Sequence, residues 1–293
     1  MTNSTKTAHF RITDAHRGWF FVGPALLFLV LLYGYPLVSA LAISFLRGGR
    51  WLGLGNYIEA FTDRLFWLSL RNTTIFTLST VIGQLLMGLG IALLLNTNLR
   101  HWALSLSRGL LIIPWVIASV VAAGIWMLLY HSIGILNYAL TTTGVLKEAV
   151  AWLGDTRYAL LAVILVNTWK YYPIYMVILL SGLKAIPIEL YEAATMDGAR
   201  YGQSFRFITL PSLRGIMVFL SLMTSVWAFR HFDLVYLMTG GGPLYQTELL
   251  TNYVYHNTFQ RLRFEYGSAI AIIMLIICLI VSVFYLRLYR KGE

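Results

Sequence analysis

Four ionisable side chains sit inside or at the edge of apolar sequence, and their types define the chemistry open to this chain. Lys170 stands in the run Asn167-Thr168-Trp169-Lys170-Tyr171-Tyr172, and Arg230, His231 and Asp233 close a second apolar run. An ionisable residue at membrane depth faces a cavity or a partner and marks a functional position. Asn167, Trp169, Lys170, Tyr171 and Tyr172 combine aromatic faces with hydrogen-bonding groups. Sugars lay C–H faces on rings and offer hydroxyls to polar groups, so this mixture suits a carbohydrate. Snorkelling of the long Lys170 side chain, or packing against a neighbouring subunit, also accounts for it. Arg230 and Asp233 are spaced i, i+3, which lets them neutralise one another on one helix face or meet a subunit interface. Alternatively, Arg230 forks onto a hydroxyl pair or an anionic group of a ligand.

Enzyme chemistry has little to stand on in this sequence. No Gly-x-x-x-x-Gly-Lys-[Ser/Thr] occurs, so the chain is not expected to cradle ATP phosphates, and energy for active transport must come from a partner or an ion gradient. His101, His131 and His256 have no ligand partner at metal spacing, and no Ser-His-Asp or paired-carboxylate set stands out. Cys278 is the sole cysteine, which rules out an intrachain disulfide or a Cys-based metal site. The net charge of +10 does not indicate nucleic acid, because the basic residues are scattered among loops and read as topology signals.

The elements that must position these residues are membrane spans. The chain is 58% hydrophobic and 12% charged, against a charged fraction of about 25% in soluble domains. No Asp, Glu, Lys or Arg falls between Arg17 and Arg47, Arg71 and Arg100, Arg108 and Lys147, or Glu265 and Arg287. Each gap holds the ~20 residues needed to cross ~30 Å of hydrocarbon. The expected fold is an all-α polytopic membrane protein with six helices near 18–44, 68–96, 106–130, 158–183, 211–236 and 265–287. The stretch between Arg214 and Arg230 is too short to cross at ~1.5 Å per residue, so the fifth helix is expected to continue through Arg230, His231 and Asp233. The first span is too long for a signal-peptide core and lacks a cleavage site after it. With both termini inside, inner segments carry 12 Lys and Arg against 9 on outer ones, a bias toward cytoplasmic termini. Residues 1–17 form a polar cytoplasmic segment before a single domain over 18–293. Trp51, Trp67, Tyr130, Trp152 and Tyr158 fall near span ends, where rings favour the headgroup region. Gly83, Gly88, Gly90 and Ala92 give the second span a small-residue face for close contact.

Between the fourth and fifth spans, residues 184–211 form a semi-polar surface loop. Pro187 suits the first turn of a short helix, and Glu189 and Glu192 favour its positive end. Gly198 ends that helix with φ > 0, and Pro211 is expected to block a continuous helix at re-entry. Leu190, Ala193 and Ala194 form a small apolar face able to enter a groove, rimmed by Glu192, Asp197 and Arg200.

Glu192-Ala193-Ala194, Gly198 after a three-residue gap and Ile208-x-Leu210-Pro211 after nine more resemble the EAA loop of bacterial ABC-importer permeases. From about Pro24 onward the chain resembles the six-span, maltose-type branch of sugar permeases. Gly55-Asn56-Tyr57, Asn72-Thr73, Pro114, Trp126, Gly134-x-x-Asn137, Trp152-Leu153, Trp169 and Pro173 carry this likeness. Gly182-Leu183-x-x-Ile186-Pro187, Phe232-Asp233 and Thr239-Gly240-Gly241-Gly242-Pro243 complete it, while Arg230-His231 lies outside that pattern. The resemblance implies a multi-pass permease in the bacterial inner membrane. Its partners would be a sister permease, two ATPase subunits that bind ATP and Mg, an extracytoplasmic solute-binding protein and membrane lipid. Leu190, Glu192, Ala193, Ala194, Asp197, Gly198, Ala199 and Arg200 would then couple to the ATPase. The rivals are a stand-alone ion-coupled carrier, an intramembrane enzyme and an ABC permease for a non-sugar solute such as an amino acid or peptide.

Overall fold

The computed structural model describes residues 14–97 and 101–290. Most of the 1–17 segment, Arg100 and Lys291, all used in the topology argument, lie outside the described residues. Helix α1 (Asp14–Leu29) passes through a π-turn at Val30–Gly34 into α2 (Tyr35–Ser44). A two-strand hairpin, β1 (Leu46–Arg47) and β2 (Arg50–Trp51), leads to α3 (Gly55–Thr62) and then α4 (Arg64–Leu95). Next come α5 (His101–Val116), α6 (Ser119–Leu129), α7 (Ile135–Thr142) and α8 (Ala159–Lys184). The chain continues with α9 (Ile188–Met196), α10 (Tyr201–Ser204), a π-turn at Phe205–Thr209 and α11 (Leu210–Phe229). After α12 (Asp233–Thr239) and α13 (Leu250–Tyr255), α14 (Phe264–Arg290) closes the bundle.

Five helical stretches, Phe21–Ser44, Arg64–Leu95, Ala159–Lys184, Tyr201–Phe229 and Phe264–Leu288, are long and apolar enough to cross a membrane. The third expected span, 106–130, is not one helix: α5 and α6 meet at a bend of 95°. Pro114 removes one backbone donor near the end of α5, and the chain leaves helical geometry at Ile117 and Ala118. The Lys170 ammonium donates to the Ile117 carbonyl exposed by the break.

The fifth span departs from expectation at both ends. Pro211 does not interrupt it, because the π-turn shifts the bonding pattern so that the Leu210 N–H reaches the Phe205 carbonyl. The Ser212 hydroxyl takes the Ile208 carbonyl at 2.7 Å. This early start gives the span its missing length, and the helix ends at Phe229 rather than running through Asp233. Pro187 likewise sits one residue before its helix, as the N-cap of α9.

Helices α4 and α8 run side by side in the same direction at the centre. A Cβ on Gly83 would lie 2.9 Å from Thr168 Oγ1, and one on Gly88 would lie 2.4 Å from Tyr175 Cβ. Those glycines and buried Ala92 let the backbones approach closely. Gly90 is not part of that face, since nothing lies within 4 Å of its Cβ position. Tyr130 also departs from its expected place at a membrane surface: it is 4% exposed, and its hydroxyl donates to the Ala162 carbonyl.

Hydrogen bonds clasp the end of the bundle that carries α3 and α13. Asn56 donates to the Ser44 and Leu46 carbonyls at 2.8 and 2.7 Å. Asn72 donates to the Tyr245 and Glu248 carbonyls, and the Thr73 hydroxyl accepts from Leu250 N–H at 2.8 Å. Asn137 ties the His131 and Val150 carbonyls together at 3.1 and 2.9 Å and accepts from Trp152. Glu59 holds both Arg47 and Arg263. Burial opposes its charge, yet the two guanidinium partners prevail and lower its pKa. Glu248 is buried beneath Gly241, whose φ of +92° disfavours a side chain and whose Cβ position is already filled by the Glu248 carboxyl group. Burial pushes its carboxyl up to about 8, against a pull from Arg261, while burial and then Arg261 lower His256. Their 2.8 Å contact is therefore a hydrogen bond between neutral groups near pH 7.

Candidate functional site

A cavity of about 370 Å³ opens between α4, α8 and α11. Helical spacing brings Asn167, Tyr171, Ile174, Tyr175 and Ile178 onto one stripe of α8, and that stripe forms one wall. Gln84 reaches in from α4, and Thr224 and Trp227 from α11. Arg230, His231 and Asp233 line the end where α11 gives way to α12.

A directed hydrogen-bond chain runs along the wall. Tyr175 donates to Thr224 at 2.7 Å, and Thr224 donates to Gln84 Oε1 at 3.4 Å. Gln84 donates to Asn167 Oδ1 at 3.1 Å, and Asn167 Nδ2 meets His231 Nε2 at 3.1 Å. With this amide placement His231 accepts at Nε2, which is the neutral Nδ1–H tautomer. Its ring stacks on Phe76 at 5.7 Å and meets the edge of Tyr171 at 5.9 Å. These contacts hold the chain out of helical geometry at 230–232, where neither Gly nor Pro is present. They are the physical reason the expected continuation through Asp233 fails.

Arg230 and Asp233 do not pair. The ion pairs among the described residues are Arg47–Glu59, Arg157–Asp155 and Arg263–Glu59. Arg230 caps the C-terminus of α11 and Asp233 opens α12, so each charge sits at the helix end whose dipole favours it. Both remain exposed to the cavity, a donor fork and an acceptor in one chamber.

The cluster Asn167–Tyr172 is divided by the turn of its helix. Asn167 and Tyr171 face the cavity, whereas Trp169, Lys170 and Tyr172 do not line it. Lys170 is 3% exposed and is spent on the Ile117 carbonyl, with its ammonium 5.3 Å from the Tyr171 ring centre. Tyr172 donates to the Leu111 carbonyl at 3.1 Å. Trp169 meets Trp126 of α6 edge to face at 5.4 Å. These three brace the broken span rather than the cavity.

Gln84, Tyr175, Thr224 and Trp227 line the site without having been singled out from sequence. The available signal was the polar series Ser69, Thr73, Thr77, Thr80 and Gln84 along one side of α4, all buried.

The surface helix α9 ends in a Schellman turn. Ala199 N–H bonds to the Ala194 carbonyl at 2.9 Å, and Gly198 N–H to the Thr195 carbonyl at 3.0 Å. Gly198 has φ +76° and open space at its Cβ position. No residue of α9 is buried: Leu190, Glu192 and Ala193 are exposed, Ala194 and Ala199 half-buried, and Asp197 and Arg200 exposed at the turn. Tyr191 anchors the helix through its hydroxyl, 2.9 Å from Thr209 Oγ1.

Residues 84–291 match the family described as binding-protein-dependent transport system inner membrane component. The sulfoquinovosyl glycerol transport system permease protein SmoG of Agrobacterium fabrum is 36% identical over 281 residues, covering 93% of this chain and 90% of the relative. The trehalose/maltose transport system permease protein MalF of Thermococcus litoralis is 32% identical, covering 97% of each. A bacterial ABC transporter chain involved in import of the acidic polysaccharide alginate shares the fold, with a TM-score of 0.84 and 21% identity over 95% of this chain and 97% of that one. The chain belongs to the binding-protein-dependent transport system inner membrane components, as a permease of the maltose-type branch of ABC importers.

Proposed function

We propose that this permease carries a carbohydrate or a related polyol through the cavity between α4, α8 and α11. One observation carries the reading: Trp227 and Tyr171 supply ring surface while Arg230, Asp233, Asn167 and Gln84 supply donors and acceptors in the same chamber. Relatives named for sulfoquinovosyl glycerol, trehalose/maltose and lactose transport support a sugar-like cargo. Transport proceeds by alternating access. A solute-binding protein delivers the ligand on the outer side, and a sister permease completes the pathway. Two ATPase subunits, which bind ATP and Mg, close on nucleotide and move α9, the coupling helix. Its exposed Leu190 and Ala193 enter the ATPase groove, with Glu192, Asp197 and Arg200 at the rim. Both termini and α9 lie in the cytoplasm.

The test is mild-detergent purification of the tagged chain from its host, with co-purifying proteins identified by mass spectrometry. The expected set contains an ATPase and a second permease, and the associated binding protein is then screened against sugars and polyols. A chain that emerges alone in several mild detergents and takes up solute only under an ion gradient overturns the proposal.

A further inference from the structure

A second, smaller cavity of about 210 Å³ lies between α5 and α8, at the end of the bundle that carries α9. Its mouth carries Arg108 and Lys184, and its walls are Ile112, Val177 and Leu180. Arg108 is half-buried, its Nε is shielded without a partner, and neither cation joins any ion pair among the described residues. Ser181 also lines the cavity, but its hydroxyl is committed to the Val177 carbonyl at 2.9 Å, which leaves the two cations as the free donors. Lys184 stands in the last turn of α8, where the helix dipole accounts for its sign but not for Arg108 beside it. Val177 is 43% exposed, so the apolar wall opens outward between two span-forming helices. Two unpaired cations over an apolar groove at a span end match an anionic headgroup joined to an acyl chain.

We propose that one anionic phospholipid seats here, its phosphate between Arg108 and Lys184 and its chain along Ile112 and Val177. The occupant is a lipid from the bilayer rather than free phosphate, because the cavity walls are apolar and face outward. Lys184 lies three residues before Pro187, the cap of α9, so the bound lipid steadies the approach to that helix.

Native mass spectrometry of the intact transporter complex tests this, after exchange into detergent micelles containing phosphatidylglycerol, phosphatidylcholine or neither. The wild type is expected to retain one phosphatidylglycerol. The double variant Arg108→Gln/Lys184→Gln should retain at least tenfold less, with phosphatidylcholine retention unchanged. Lys184→Gln alone, at an exposed site, should show an intermediate loss, which covers the case of a misfolded double variant. Equal retention by Lys184→Gln and wild type, or no preference for phosphatidylglycerol, overturns the proposal. Competition by inorganic phosphate without any retained lipid reassigns the site to a free anion. A Ser181→Cys cross-link to the second permease in place of lipid also overturns it.

Discussion

At the scale of single residues, Lys170 and Arg230 show how two buried-sequence cations take opposite roles. Lys170 closes a carbonyl that a broken helix leaves open, and a shielded carbonyl without a partner costs about 1–3 kcal/mol. Lys170→Met is therefore expected to lower the thermal midpoint of the detergent-solubilised complex while leaving ligand preference as it was. A midpoint unchanged or raised would mean that relief of the ammonium's desolvation outweighs the lost bond. Arg230→Ala should do the reverse, weakening uptake or binding by about tenfold or more at nearly constant midpoint, as loss of a charged hydrogen bond implies. Unaltered affinity and preference would return Arg230 to capping α11. Sequence brought both residues into view because charge in apolar surroundings is conspicuous. It did not separate Lys170 from its cavity-lining neighbours, because a cluster over residues 167–172 spreads through more than a full turn. Only the placement of α8 against its neighbours decides that Tyr171 looks into the cavity and Lys170 away from it.

At the scale of elements, the α4–α8 contact depends on small residues at particular positions. Gly88→Val places methyl groups against Tyr175 and the Met176 backbone, so overpacking of about 1–3 kcal/mol is expected as a lower thermal midpoint. Gly90→Ala meets open space and should raise the midpoint modestly, by up to about 1 kcal/mol of helix preference. Equal effects of the two changes would contradict the packing described. The loop above α12 carries a pH signature of its own. Glu248 takes up a proton more readily folded than unfolded, so its contribution is complete below the ordinary glutamate range and is lost as pH rises through about 8. Hydrogen exchange at residues 240–256 should accelerate from pH 5 to 8.5 beyond the intrinsic rate, and Glu248→Gln should flatten that trend. A slope that survives in the Gln variant assigns it elsewhere. The helical spans were legible in their length and apolarity. The breaks were less so: Pro114 gave a hint for α5, but at 230–232 the break rests on Asn167, Phe76 and Tyr171 meeting His231. No local residue type announces contacts between distant helices.

At the scale of the whole molecule, the positions that carried the family likeness are largely its fastenings. Asn56, Asn72, Thr73 and Asn137 all bind backbone of another segment at the clasped end, which is why a pattern of scattered residues could speak for the entire chain. The opposite end presents α9 with no buried residue. Gly198→Asp should leave membrane insertion intact, because its Cβ position is open, yet abolish ATPase co-purification by straining the φ +76° turn and blocking close approach. Normal ATPase recovery with normal uptake would remove α9 from the coupling role. The asymmetry between a fastened end and a bare one also makes the bundle a set of levers with a shared fulcrum. Helix α8 has 26 residues, about 39 Å of rigid arm at ~1.5 Å per residue. A tilt of only ~5° about the clasp then carries its free end about 3 Å, by the arm length that helical rise dictates. Stiffness at one end converts a few degrees there into ångströms at the other, so the mechanical reach of this permease is set by where its hydrogen bonds are not.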